Sequence, residues 1–381
     1  MKKLLTIMLA VLLAVLAVVA SAEDNVKNAD IIIVGAGGGG LSAAIEAVND
    51  GAQSVIVLEK TGKTGGSLNF TSGSMSGAET VIQKLDGIED TKESFVQDIL
   101  NNGAHLGNEA MIRAFVDEDV DAIQWLWDNG LSEYNFSSMK TTGKHTVFAP
   151  EHQLYSVART YKPSANDPTR YKAAAHEIMD TVLATDAYKG VTIDFNTTAN
   201  QLVANEQGQV LTVLATDENG QTVRYEAKKA VIMATGGFSA NVQMRETQVP
   251  YLTEELPTTN IKAASTGEGI YLAQAIGANT TQMSNIQRYP WADPNTGVLD
   301  SYAVWPFTGP SYGVIYVDYN GNRYVNEGDR RDVCANAAVN SGFISTYALF
   351  TEPVVNAFVK PEELEAGVQS GRVLKGDTLE E

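Results

Sequence analysis

The sequence predicts an α/β fold organised around parallel strands, and three stretches carry that prediction. Asp30–Val34 (DIIIV) is a short apolar run suited to a strand buried on both faces. Gly35–Gly40 (GAGGGG) is a turn, and Ser54–Leu58 (SVIVL) is a second strand-like run. Between them, Leu41–Asp50 sets Leu41, Ala44, Ile45 and Val48 at helical spacing. Strand, glycine turn, helix and strand in about 30 residues make one βαβ unit.

The rest of the chain extends this frame. Residues 79–130 read as mainly helical, with Ile112, Phe115, Ala122, Trp125 and Leu126 as the apolar positions. Residues 132–170 are polar and irregular, and Tyr171–Leu183 is a helix. Val191–Phe195, Gln201–Ala204, Val210–Ala215 and Thr222–Ala227 read as strands, with Asp217–Gly220 turning between the last two. Lys229–Ala234 (KAVIMA) is a buried strand closed by Thr235-Gly236-Gly237, and Gly269–Gly277 is a short helix. Val314–Asp318 and Arg323–Val325 form a hairpin around Asn320-Gly321.

Composition narrows the class. The chain has 381 residues, 44% of them hydrophobic and 19% charged, which fits two or three folded domains and excludes disorder, collagen and coiled coil. Cys334 is the one cysteine, so no intrachain disulfide, thiolate-rich metal site or CxxCH haem attachment is expected. His105, His145, His152 and His176 stand at no metal-ligand spacing, and no metal is expected. The formal charge of −19 repels nucleic acid and anionic lipid, so neither is an expected partner.

The first 22 residues read as a targeting segment. Lys2-Lys3 are followed by the apolar run Leu4–Ala20, and Ala20-Ser21-Ala22 is an A-x-A cleavage site before Glu23. Cleavage predicts an exported protein, periplasmic or extracellular, with no stable membrane span. An uncleaved anchor is the competing reading.

Three motifs carry chemistry. Gly35-Ala36-Gly37-Gly38-Gly39-Gly40 is a G-x-G-x-x-G between a strand and a helix. Gly35 permits the tight turn, Gly37 the approach of a pyrophosphate, and Gly40 close helix–strand packing, while the helix N-terminus offers N–H groups and positive dipole to phosphates. Glu59 ends the second strand, where a carboxylate can hydrogen-bond a ribose hydroxyl pair; an acid there disfavours a 2′-phosphate. Thr64-Gly65-Gly66-Ser67 with Ser72-Gly73-Ser74-Met75 would let backbone amides reach a large planar cofactor. Ala234-Thr235-Gly236-Gly237-Phe238 offers a second close approach of backbone to a dinucleotide.

Taken in order, Glu59-Lys60, Gly65-Gly66-Ser67, Gly73-Ser74-Met75, Ala234–Phe238, Thr266-Gly267-Glu268-Gly269 and Arg323-Tyr324-Val325-Asn326-Glu327 with Arg331-Asp332 resemble the FAD-dependent fumarate reductase/succinate dehydrogenase flavoproteins. The resemblance is to the soluble, exported branch of flavocytochrome c fumarate reductases and urocanate reductases, and it covers about residues 30–381. It implies a Rossmann-like FAD-binding domain with an inserted α+β capping domain. With the leader over 1–22, it implies an FAD domain over 23–283 and a partial cap over 284–381. The expected cofactor contacts are Gly35, Gly37, Gly40, Glu59, Lys60, Gly65, Gly66, Ser67, Gly73, Ser74, Met75, Ala234, Thr235, Gly236, Gly237 and Glu268.

The implied activity is reduction of the C=C bond of an α,β-unsaturated carboxylate, urocanate-like or fumarate-like. Flavin N5 gives hydride, and Arg331, at the family's active-site arginine, gives the proton. Structurally, Arg331 could instead pair with Asp332 or Glu327, with Arg330 the more solvated neighbour. Tyr289 stands where fumarate reductases carry a histidine before proline. A tyrosine there can bond a carboxylate, stack on a ring or simply pack. The proton-delivery pair of the family has no counterpart at Phe307 or Pro310, and Asp300 is the one nearby acid. No histidine stands in sequence near Gly65-Gly66, which implies non-covalent FAD. No haem or covalent-FMN motif is present, which implies an external electron donor. Thr378-Leu379-Glu380-Glu381 is a capping box with no helix after it. The chain is therefore expected to be C-terminally truncated, and a flavin-binding fragment without turnover is the alternative function.

Overall fold

The structure, a computed structural model, describes residues 25–70, 75–133, 136–138, 156–163, 174–256, 258, 262–290, 313–342, 345–353, 355, 360–376 and 378. The leader, Gly73 and Ser74, Asp300, Phe307, Pro310 and the end of the expected capping box lie outside these residues. The strands in chain order are β1 (Val26–Val34), β2 (Val55–Leu58), β3 (Met75–Ser76), β4 (Phe136–Ser138), β5 (Thr160–Pro163), β6 (Val191–Asp194), β7 (Thr198–Ala204), β8 (Val210–Thr216), β9 (Thr222–Met233), β10 (Ile315–Val317) and β11 (Tyr347–Leu349). The chain forms two compact units. The first holds the described residues up to Gly73, of 167–253 and of 260–284; the second holds those of 74–166, 254–259 and from Asn285 on. The described residues of 74–166, expected within the FAD domain, group with the second unit.

The first unit is a mixed six-stranded sheet in the order β6-β2-β1-β9-β8-β7. β1 pairs in parallel with β2 and β9, and β2 with β6, while β7, β8 and β9 form an antiparallel meander. Ile32 and Ile33 on β1 are both fully buried although they point to opposite faces, which is why DIIIV shows no polar alternation. One core face gathers Ile32, Val34, Ile56, Leu58, Leu202, Val213 and Tyr225.

Two boundaries differ from expectation. The first helix is Gly38–Asn49 and starts inside the glycine run, because Leu41 N–H already donates to Gly37 O at 2.9 Å. The strands expected at Thr222–Ala227 and Lys229–Ala234 are one strand, β9. Its register against β1 steps from Ala29↔Ala227 to Ile31↔Ala230, so Lys228 and Lys229 together oppose Asp30. Two residues facing one is a β-bulge. The charged pair breaks the apolar pattern without ending the ladder, and Lys228 Nζ reaches Asp30 Oδ1 at 3.1 Å.

In the second unit, helices Val81–Leu85, Lys92–Asn102 and Glu109–Asp128 are capped by Thr80, Thr91 and Asn108. The longest of them buries Val116, Asp119 and Ile123 and leaves Phe115 54% exposed, so its inner face is turned away from the expected one. Within the stretch left unassigned by the sequence, Arg159 is fully buried. It binds Asp90 through Nε and Nη2 at 2.6 and 2.7 Å, and also Asp98, tying β5 to helix Lys92–Asn102. Such a pair is stable only because both partners are present. The predicted hairpin is mostly turn. Asp318 Oδ1 accepts from the N–H groups of Asn320 and Asn322, and the returning arm joins through a single bridge, Val317↔Arg323. β10 pairs instead with β11. No helix among the described residues is long and apolar enough to cross a membrane.

Candidate functional site

The expected cofactor residues of the first unit converge where β1, β2 and β9 end. Gly35 has φ +105°, which strains any L side chain, and a Cβ there would lie 2.4 Å from Ala234 O. A Cβ on Gly40 would lie 1.8 Å from Gly35 O. These two glycines serve packing within the turn. Around Gly37, Gly39, Gly236 and Gly237 the structure is open, with nothing within 4 Å of an added Cβ. Gly37 is the N-cap of the 12-residue helix Gly38–Asn49 and has no side chain to offer its first-turn N–H groups. Those amides and the helix dipole favour an anion. A surface of bare backbone at a helix N-terminus fits a dinucleotide pyrophosphate. Ala234 and Thr235 face inward: Ala234 abuts Gly35, and a Cβ on Gly269 would meet Thr235 Oγ1 at 2.0 Å.

Glu59 is 8% exposed at the end of β2. Its Oε2 accepts from Ala36 N–H at 2.9 Å, and its Oε1 accepts from Thr61 N–H and Oγ1, both at 2.7 Å. The carboxylate thus fastens β2 to the glycine turn as well as standing where a ribose is expected. With about four acceptor positions on a carboxylate, these bonds leave capacity for a sugar hydroxyl. Lys60 Nζ reaches Glu268 Oε2 at 2.7 Å and Thr266 Oγ1 at 3.1 Å, so two distant family motifs meet.

The loop Thr64–Ser67 lies on the glycine turn. Gly65 N–H donates to Ala36 O at 2.8 Å, and Gly65 and Gly37 form a parallel bridge. Ser67 is the second residue of the short 3-10 helix Gly66–Phe70. One residue missed by sequence reasoning is here. His176, 112 positions beyond Thr64, places Nε2 at 2.8 Å from Thr64 Oγ1. The expected absence of a histidine near Gly65-Gly66 holds along the chain and fails in space. The available signal was the pair His176 and Asp180, one turn apart on the helix Ala174–Leu183.

Met75 lies in β3, paired with Tyr161, and so belongs to the second unit. That unit brings Arg331 and Tyr289 together: the guanidinium sits 5.0 Å over the ring centroid, a cation–π geometry. Tyr289 is half-buried beside Val314, Tyr316 and Cys334. Arg331 begins the helix Arg331–Asn340, which the sequence reading had not drawn. Its two proposed structural partners are each bound by another arginine. Asp332 accepts from Arg330 Nε and Nη2 at 3.0 and 3.1 Å, and Glu327 accepts from Arg323 Nε and Nη2 at 2.8 and 2.5 Å. Arg330 is therefore the ion-paired neighbour rather than the solvated one.

Glu327 is fully buried. Burial pushes its carboxyl upward, but the Arg323 guanidinium and the Tyr316 N–H together outweigh burial and leave it below its ordinary value. Arg330 likewise holds Asp332 low, against burial. Among the described residues, no group of three or more His, Cys, Asp or Glu could hold a metal ion.

Known proteins resemble this chain in sequence and in fold. The family model for the FAD binding domain matches residues 30–348. A urocanate reductase of Eggerthella lenta is 30% identical over 94% of this chain and 56% of its own length. An acrylate reductase flavoprotein subunit of Shewanella woodyi is 32% identical over 82% of this chain and 60% of its own. The chain thus spans little more than half of these relatives. The solved open conformation of a flavocytochrome c3 fumarate reductase shares the fold with TM-score 0.75 at 24% identity, over 96% of this chain and 59% of that one. The chain belongs to the FAD-binding fumarate reductase/succinate dehydrogenase flavoprotein family.

Proposed function

We propose that the protein is an FAD-dependent reductase of the C=C bond of an α,β-unsaturated carboxylate, urocanate-like or fumarate-like, fed by an external electron donor. The observation that carries this reading is the guanidinium of Arg331, at the family's active-site arginine position, stacked on Tyr289 at 5.0 Å. The relatives named for urocanate and acrylate reduction support the substrate class.

FAD held at the glycine turn would supply the hydride for one alkene carbon. The open backbone at Gly37, Gly236 and Gly237 and the N-terminus of helix Gly38–Asn49 would hold its phosphates, and Glu59 its ribose. Tyr289 orients the substrate and keeps the guanidinium in place. Arg331 delivers the proton to the neighbouring carbon, which requires water to be excluded, since a guanidinium gives up protons poorly in water. The test is anaerobic: reduced flavin on the protein is mixed with urocanate, fumarate and acrylate, and re-oxidation is followed spectrally. Re-oxidation by none of them refutes the reading.

The alternative reading is flavin binding without turnover. Bound flavin that no enoate re-oxidises would select it. We also propose that FAD is non-covalent, so acid precipitation leaves the yellow colour in solution; a yellow pellet refutes this. Export with cleavage after Ala22 is proposed from the leader, and N-terminal sequencing of the exported protein from Glu23 tests it.

A further inference from the structure

We propose that His176, together with Asp180, is a positioning residue for the FAD site, holding the loop Thr64–Gly66 in the shape that lies on the glycine turn. The inference rests on the FAD assignment above and extends it to a helix, Ala174–Leu183, that no cofactor motif includes.

His176 and Asp180 stand one turn apart on that helix and share a face. Nε2 of His176 lies 2.8 Å from Thr64 Oγ1 and 2.8 Å from Asp180 Oδ2, and the Thr64 hydroxyl donates to Asp180 Oδ2 at 3.0 Å. The other edge of the imidazole rests on Gly65: an added Cβ would come within 2.7 Å of Cε1 and 2.8 Å of Nδ1. On the same side of Gly65, Asn69 Nδ2 lies 2.8 Å from that added Cβ and donates to Thr64 O at 2.9 Å. From Gly65 the contact passes directly to Ala36 O and to the bridge with Gly37. Helix face, loop and glycine turn thus form one continuous contact.

Docking the helix does not need these polar groups. Ile178 and Met179 are 4% and 5% exposed and supply apolar burial. A half-buried imidazole bonded to a hydroxyl and a carboxylate adds little adhesion, because its desolvation offsets much of the bonding. What it adds is direction. The loop it grips has two successive glycines at φ +96° and +51°, residues that lose the most freedom on ordering. Ordering them before the ligand arrives removes that cost from binding.

The test uses the full chain as apoprotein, titrated with FAD while flavin fluorescence and the apo melting temperature are both measured. His176→Leu keeps bulk and removes the hydrogen bonds; His176→Gln returns an amide nitrogen near the Nε2 position; Thr64→Val breaks the same clamp from the loop side, in case the helix variant does not fold. The expected result is a Kd raised about 10–100-fold in H176L and T64V with an apo melting temperature within about 3 °C of the parent, and recovery in H176Q to within about threefold. A Kd within threefold of the parent in H176L and T64V overturns the proposal. Equal loss in H176Q and H176L, tracking a fall in apo melting temperature, overturns it as well, since plain packing would do that. A parent chain that binds no FAD overturns the cofactor assignment and this inference with it.

Discussion

Replacing Gly37 by alanine should separate cofactor binding from folding, and Gly40→Ala should do the reverse. The backbone at Gly37 has φ −76° and ψ −175°, open to any residue, and an added Cβ meets no atom within 4 Å. Alanine at an N-cap costs up to about 1 kcal/mol relative to glycine. The stiffer unfolded chain returns about 0.4–1 kcal/mol, so stability should barely change. At Gly40 the new Cβ would sit 1.8 Å from the Gly35 carbonyl oxygen, a backbone atom in the tight turn that cannot swing aside. Overpacking of that kind costs about 1–3 kcal/mol or more, which lowers the melting temperature by roughly 2–12 °C at about 2–4 °C per kcal/mol. The methyl at Gly37 instead enters the space assigned to the pyrophosphate, and a loss of about 2 kcal/mol there is roughly a 30-fold weaker FAD Kd. Calorimetry of the apoprotein and a fluorescence titration with FAD read the two effects separately. If Gly37→Ala keeps FAD within threefold of the parent and melts normally, the phosphates do not sit on that face.

Arg331→Ala should lower enoate-dependent re-oxidation by about 10²–10⁴-fold with FAD still bound; retained turnover would end the proton-donor role. Burial pushes Asp119 from an ordinary 3.8 up to about 6, against the backbone N–H groups of Ala78 and Val120. A raised acid is penalised when ionised, so the penalty is present above pH 6 and fades toward pH 4. Asp119→Asn should then gain up to about 3 kcal/mol at pH 7.5 and nothing at pH 4, as read by denaturant unfolding. Glu327 has the opposite sign: held below 4.5, it stabilises above that pH and ceases to as pH falls through its folded value. Glu327→Gln should cost about 1–3 kcal/mol at pH 7 and flatten the acid limb of the stability profile below pH 4.5.

Much of the first unit was legible because its signals are local. DIIIV and SVIVL are buried on both faces, and a glycine run between strand and helix has few other uses. What escaped was set by pairing. Lys228-Lys229 looked like a strand break because burial periodicity was the only guide, whereas the ladder absorbs both residues as a bulge opposite Asp30. Arg323–Val325 looked like a full hairpin arm because Asn320-Gly321 is a strong turn, but β10 takes β11 as its partner, and that preference is not written near the turn. Phe115 was assigned inward on hydrophobicity alone, while the helix turns Asp119, a carboxylate, inward in its place.

The site residues divide along the same line. Gly35 and Gly40 are required by the turn itself, and Gly37, Gly236 and Gly237 by what the turn leaves open; one motif spells both needs in the same letter, and only the distance to the nearest backbone atom separates them. His176 has the converse problem. Its chemistry is visible in the sequence but its address is not, because a helix carries it across more than a hundred residues to Gly65. A search for partners of the Gly65-Gly66 pair along the chain therefore reaches only Lys60 to Ser67. The side chains that shape the loop arrive from Ala174–Leu183, which reads as an ordinary packing helix until Thr64, Asp180 and the imidazole are seen to meet at one point.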